Sequence, residues 1–198
     1  MNIYELPTAL VVGDSEYAIR TDFRAIIDIC QYYANPEYDA EEKALICLDI
    51  LYEDFDNMPA ELYQEALDRA IEFIDYQASS GGEQNGKHGS EPPITDWDQD
   101  AQLILGAVNA VARMDVRSVP YLHWWTFMSW YMEIPHDSLY ATVISVRQAK
   151  RKGKLESWQK DFYKANRALV DLKTRKSADE MAADEEWKAA IDSLLGKK

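Results

Sequence analysis

Apolar residues recur at intervals of three and four along most of this chain. That spacing, the signature of one face of an α-helix, constrains the fold more than any single motif. Phe23, Ile26, Ile27, Cys30 and Tyr33 make a first stripe, with Thr21 or Asp22 placed to cap it and Asn35-Pro36 to end it. Asp39 and Glu42 have the spacing of a capping box for a second helix, whose stripe is Ala44, Leu45, Leu48, Leu51 and Tyr52. Pro59 suits the first turn of a third, carrying Leu62, Ala66, Leu67, Ala70, Ile71, Phe73 and Ile74. Further on, Thr95 is placed to cap a helix with Asp96, Asp98 and Asp100 in its first turn and Ile104, Ala107, Val108 and Val111 behind them. The aromatic run from Tyr121 to Tyr131 ends at Pro135, and Asp137 is placed to cap a helix through Val143, Ile144 and Arg147. Only the N-terminus reads differently: two short apolar runs around Gly13-Asp14-Ser15 predict a β-hairpin.

The expected fold is therefore mostly α, a multi-helix bundle with a short N-terminal β-hairpin and amphipathic C-terminal helices. Two regions follow from composition. Residues 1–146 form a helical body interrupted by a glycine-rich loop at 78–93, and residues 147–198 form a basic heptad-like helix and a last amphipathic helix. In the second region Leu155, Trp158, Phe162, Ala165, Leu169 and Leu172 are spaced 3, 4, 3, 4 and 3 apart, a seam suited to docking on another helix. Leu155, Trp158, Phe162, Leu169 and Trp187 are the candidate protein-binding residues.

Charge sharpens this division. The net charge is −14, but residues 1–110 hold 5 Lys+Arg against 23 Asp+Glu, whereas residues 147–176 hold 11 against 3. An acidic body opposes general nucleic-acid or anionic-membrane binding, both of which depend on releasing counterions to a cationic surface. No run of about 18 apolar residues offers a membrane span, and the N-terminus lacks the layout of a secretory signal, so a cytosolic protein is expected.

Chemistry is sparse. Asp96-Trp97-Asp98-Gln99-Asp100 imitates the opening of a calcium loop, but Ala101 and Ala107 stand where such a loop needs glycine and a bidentate glutamate. His88, His123 and His136 form no zinc-ligand pair, and Cys30 and Cys47 lie in helical stretches where a buried free thiol is the ordinary outcome. Neither a nucleophile elbow nor a phosphate-binding glycine loop occurs. The expectation is a binding protein, not an enzyme, with no cofactor and no metal; a closed pocket joining His123 to a buried carboxylate would instead point to a small hydrolase. The aromatic block around His123, Trp124 and Trp125 is expected to be core, since each ring buries a large area.

Several of these pieces occur together and in order. Leu6-Pro7, the hairpin from Val12 to Ile19, Thr21-Asp22-Phe23-Arg24, Asp96-Trp97-Asp98-Gln99-Asp100-Ala101 and His123-Trp124-Trp125-Thr126-Phe127 resemble the gene-product-fifteen family of tailed phages and prophages of Gram-positive bacteria. The resemblance covers roughly residues 1 to 170. Members are encoded among tail genes near the tape-measure gene. The resemblance thus implies a tail assembly chaperone that binds tape-measure or tail-tube subunits in the host cytoplasm and is absent from the finished virion. It carries over no catalytic residue; Trp97, His123, Trp124 and Trp125 transfer as pattern positions without an assigned role. The opposite signs of body and C-terminal segment also allow a homo-oligomer. A different class, an acidic DNA mimic that inhibits a host protein, is the alternative reading of the charge.

Overall fold

A computed structural model describes residues 5–76 and 93–173. The glycine-rich tract, apart from Pro93, and the last expected helix with Trp187 lie outside the described residues.

The hairpin forms as expected. β1 (Ala9–Val12) pairs antiparallel with β2 (Ser15–Ala18), with Val12 opposite Ser15 across the two-residue turn Gly13-Asp14. The second strand therefore starts two residues earlier than the apolar run at 17–20 suggested. Gly13 sits at φ +58°, where the turn favours glycine, and a Cβ there would lie 3.3 Å from a methyl of Leu62, which would have to shift to admit it. Arg20, just beyond β2, donates to the carbonyls of Asp49, Ile50 and Tyr52 at 2.7, 2.8 and 3.2 Å, closing the end of the second helix.

Eight α-helices are present among the described residues. α1 (Phe23–Ala34) starts where Asp22 accepts the amide of Arg24 and stops before Asn35-Pro36. α2 (Ala40–Leu51) starts at a complete capping box, the Asp39 and Glu42 side chains each accepting the other's amide at 2.9 Å. Pro59 opens a 3-10 turn, not a helix, and α3 (Tyr63–Ile74) follows it. α4 (Ala101–Ala112) begins later than Thr95 predicts, because residues 97–100 are a chain of turns. The Asp96 carboxylate there accepts the amides of Asp98 and Gln99. α5 (Trp124–Met132) is followed by α6 (Leu139–Arg151), capped by Ser138 and not by Asp137.

The C-terminal seam departs most from expectation. Leu155 to Leu172 is not one helix. α7 (Ser157–Ala165) ends at Asn166, whose side-chain amide donates to the carbonyl of Phe162, and a single turn, α8 (Arg167–Val170), follows. Residue 147, the expected boundary, falls inside α6.

Packing passes from α3 to α2, α1, α5, α4 and α6, and then to α8 and α7. The interior is one cluster that includes Val12, Ile26, Leu48, Leu51, Tyr52, Phe73, Val108, Trp124 and Phe127. Three stripe residues miss it: Tyr33, Leu45 and Ile71 are 41%, 40% and 46% exposed. Leu45 lies on the right face of α2, but no side chain among the described residues fills the groove between α2 and α3 that it lines. Cys30 and Cys47 are free thiols, pushed up to about 11 and about 12 by burial, so both stay protonated. No helix among the described residues is long and apolar enough to cross a membrane.

Candidate protein-binding site

Residues 121–125 build a clasp. His123 caps α5: its Nδ1 accepts the amide of Trp125 at 3.0 Å, and its Nε2 donates to the carbonyl of Pro7 at 2.9 Å. Both ring nitrogens are thereby committed to backbone, and the partners fix the tautomer. The stretch runs beside the start of α1, where Phe23 N–H donates to Leu122, Trp124 N–H donates to Thr21, and the Asp22 carboxylate accepts from Leu122 N–H. The two indoles reach back to α3. Trp124 donates to the carbonyl of Ile74 and Trp125 to that of Phe73, each at 3.0 Å, so they satisfy acceptors that a helix C-terminus leaves unpaired. His123, Trp124 and Phe127 are buried as expected of core, whereas Trp125 and Trp97 are half-buried.

Trp97 packs on Trp124 and Tyr131, with ring centres 6.0 and 5.5 Å away, and also lines a groove between α1 and α4. This groove, about 220 Å³, has Phe23, Ile27, Trp97, Ala101, Ile104 and Leu105 as its apolar lining. Arg24 and Arg117 stand at its rim, but both are engaged. Arg24 bonds Asp22 at 3.0 Å and the carbonyl of Val119 at 2.8 Å, while Arg117 pairs with Asp115, whose carboxyl its hydrogen bonds hold down to about 2. Asp28 and Gln31 complete the lining, and with its cations neutralised by the chain itself the groove is suited to the apolar face of an amphipathic helix.

The third feature is a latch that residue spacing did not show. Asp100 is 1% exposed, and Arg147 contacts both its oxygens, at 2.6 and 2.8 Å. The same guanidinium donates to the carbonyls of Ile94, Leu169 and Val170, so all its donors are satisfied. Gln99 adds two bonds, donating to the Asp171 carbonyl and accepting from the Lys173 amide. Thus Asp100 does not serve the helix dipole as expected; it faces inward and ties α6 and α8 to the start of α4.

The seam residues turn partly outward. α7 faces the body through Gln159, which is buried and donates to the Ser145 hydroxyl, and through Tyr163, which donates to Asp171. Trp158 is 50% exposed, Ala165 is exposed, and Leu155, Phe162, Leu169 and Leu172 are half-buried.

The family described as Bacteriophage Gp15 protein matches residues 4–172. The chain belongs to this family. No curated protein and no solved structure matches it. The clasp, the groove and all of the latch but the Lys173 amide lie within the Gp15 match. Among the described residues no group of three or more His, Cys, Asp or Glu is arranged to hold a metal ion.

The pattern positions of this Gp15 family member now have physical roles. His123, Trp124 and Trp125 form the clasp, Phe23, Arg24, Trp97 and Ala101 meet at the groove, and Gln99 and Asp100 form the latch. Burial also lowers the pKa of His123 from its ordinary 6.5, so the folded chain holds the neutral ring. The unfolded chain then binds more protons, and stability is lost as pH falls from 6.5 toward the depressed folded value. His123→Asn keeps a capping acceptor but does not titrate. Melting temperatures measured across this window should therefore decline less steeply for the variant than for the wild type, and equal slopes would remove the role assigned to His123.

Proposed function

We propose that this Gp15 family member is a phage tail assembly factor that binds tape-measure or tail-tube subunits by seating an apolar helix face in the α1–α4 groove. The observation that carries the reading is convergence. Phe23, Arg24, Trp97 and Ala101, drawn from two distant segments of the family pattern, meet at one open apolar groove. The position of family genes near the tape-measure gene supports a tail partner, because a long helical tape-measure chain exposes amphipathic faces before assembly. The work would be done in the host cytoplasm and the factor released before the virion is complete.

A DNA mimic needs carboxylates displayed in a phosphate-like row. Here Asp22, Asp39, Asp96, Asp100, Asp115 and Asp171 direct theirs onto backbone amides or cations of their own chain, which favours the assembly reading.

Affinity purification from infected cells tests the proposal. The wild-type chain should recover a tail subunit, and Ile27→Ser with Leu105→Ser should lose it while still folded by circular dichroism; recovery of no tail protein by the wild type would overturn the reading. Deleting residues 147–198 is a poor control, because it removes Arg147 from buried Asp100.

A further inference from the structure

Charge follows the packing order. Residues 39–75, spanning α2 and α3, contain 12 Asp+Glu and 2 Lys+Arg, and one of those cations, Arg69, is paired with Glu72 at 3.0 Å. Residues 150–167, around α7, contain 7 Lys+Arg and 2 Asp+Glu. The acidic pair packs against β1 and α1, whereas the basic segment packs through α8 and α6 on α4. The two charged regions therefore stand at opposite ends of the order in which the helices pack.

Each region also has an apolar feature that no other described residue covers. Between α2 and α3 lies a groove of about 170 Å³ lined by Ala44, Leu45, Leu48, Tyr63 and Leu67, with Glu41 at its edge. Gln64, also in its lining, holds the exposed Asp68 at 3.1 Å. On α7 the outward arc carries Trp158, Lys160, Asp161, Lys164 and Ala165, all exposed, and the Trp158 indole bonds the neighbouring Glu156. An aromatic anchor on a segment of net positive charge thus matches an apolar groove on a segment of net negative charge, the combination that gives an interface both its hot spot and its steering.

We infer that the chain associates head to tail with a second copy of itself, the outward face of α7 seating Trp158 in the neighbour's α2–α3 groove, with Lys160 and Lys164 against Glu41 and Asp68. This contact uses neither the α1–α4 groove nor a tail partner, so it stands or falls separately from the assembly reading. Because the two faces differ, the contact is heterologous: each added copy leaves one face of each kind open, and growth continues unless a ring closes.

Sedimentation of the purified full chain at rising concentration, at low and at high salt, tests the inference. The mass should climb above the monomer at low salt and return toward it when salt screens the rim charges. Trp158→Ser with Lys164→Glu should stay monomeric, and so should Glu41→Lys with Asp68→Lys, each weakening association by roughly tenfold or more; thermal melting checks that both remain folded. Mixing the two variants should give a one-to-one dimer that does not grow, since each retains the face the other has lost. A wild-type chain monomeric at every concentration would overturn the inference. So would an oligomer that neither variant weakens, or a mixture that stays monomeric.

Discussion

Replacing Arg147 with methionine is expected to lower the unfolding free energy by about 3–5 kcal/mol, the cost of leaving a buried charge without its partner. For a chain of this size that corresponds to a melting temperature lower by about 6–20 °C. The variant strands Asp100, 1% exposed, and removes the donors to the carbonyls of Ile94, Leu169 and Val170. The double variant Asp100→Asn with Arg147→Met should be milder than Arg147→Met alone, since the uncompensated charge is gone while an oxygen remains for the Asp96 amide. Urea titration followed by circular dichroism measures both. Hydrogen exchange should show residues 167–171 loosening first, because α8 is joined to α6 through this guanidinium. A loss below about 1 kcal/mol would place the pair among ordinary surface ion pairs and remove its assigned role.

Trp124→Ala carries the second large effect, about 3–5 kcal/mol for a buried tryptophan cut to alanine. The indole is 2% exposed, stacks on Phe127 with ring centres 5.8 Å apart, and holds the end of α3 through Ile74. Trp124→Phe refills part of the space without restoring the donor, so it should fall between the wild type and Trp124→Ala. Trp97 leans on the same ring, and the α1–α4 groove should therefore lose its shape along with the core. Equilibrium unfolding reads the series, and a near-neutral Trp124→Ala would contradict the clasp.

What the sequence revealed was local. Gly13 in the hairpin turn, Asp22 before α1 and the Asp39–Glu42 box act on backbone groups a few residues away, so each was visible from spacing alone. The latch joins residues 47 apart, and Asp100 already had a local explanation in the aspartates around it. The core role of Trp124 followed from its size, but its carbonyl partner lies 50 residues away and no pattern announces it. The groove escaped notice for the same reason: Phe23 and Trp97 line one groove only once α1 and α4 have both packed on α5. The seam from Leu155 to Leu172 misled through regularity, since periodicity does not register an asparagine that folds its amide back onto the preceding turn. The boundary at residue 147 followed charge, and charge changes along α6 without interrupting it.

The most direct measurement of the proposed assembly role is tail morphology, by electron microscopy, in a phage lacking this gene. For that role, no tails of normal length should form, a wild-type copy but not Ile27→Ser with Leu105→Ser should restore them, and purified virions should hold no stoichiometric amount of this chain. Tails of normal length in the absence of the gene would contradict it.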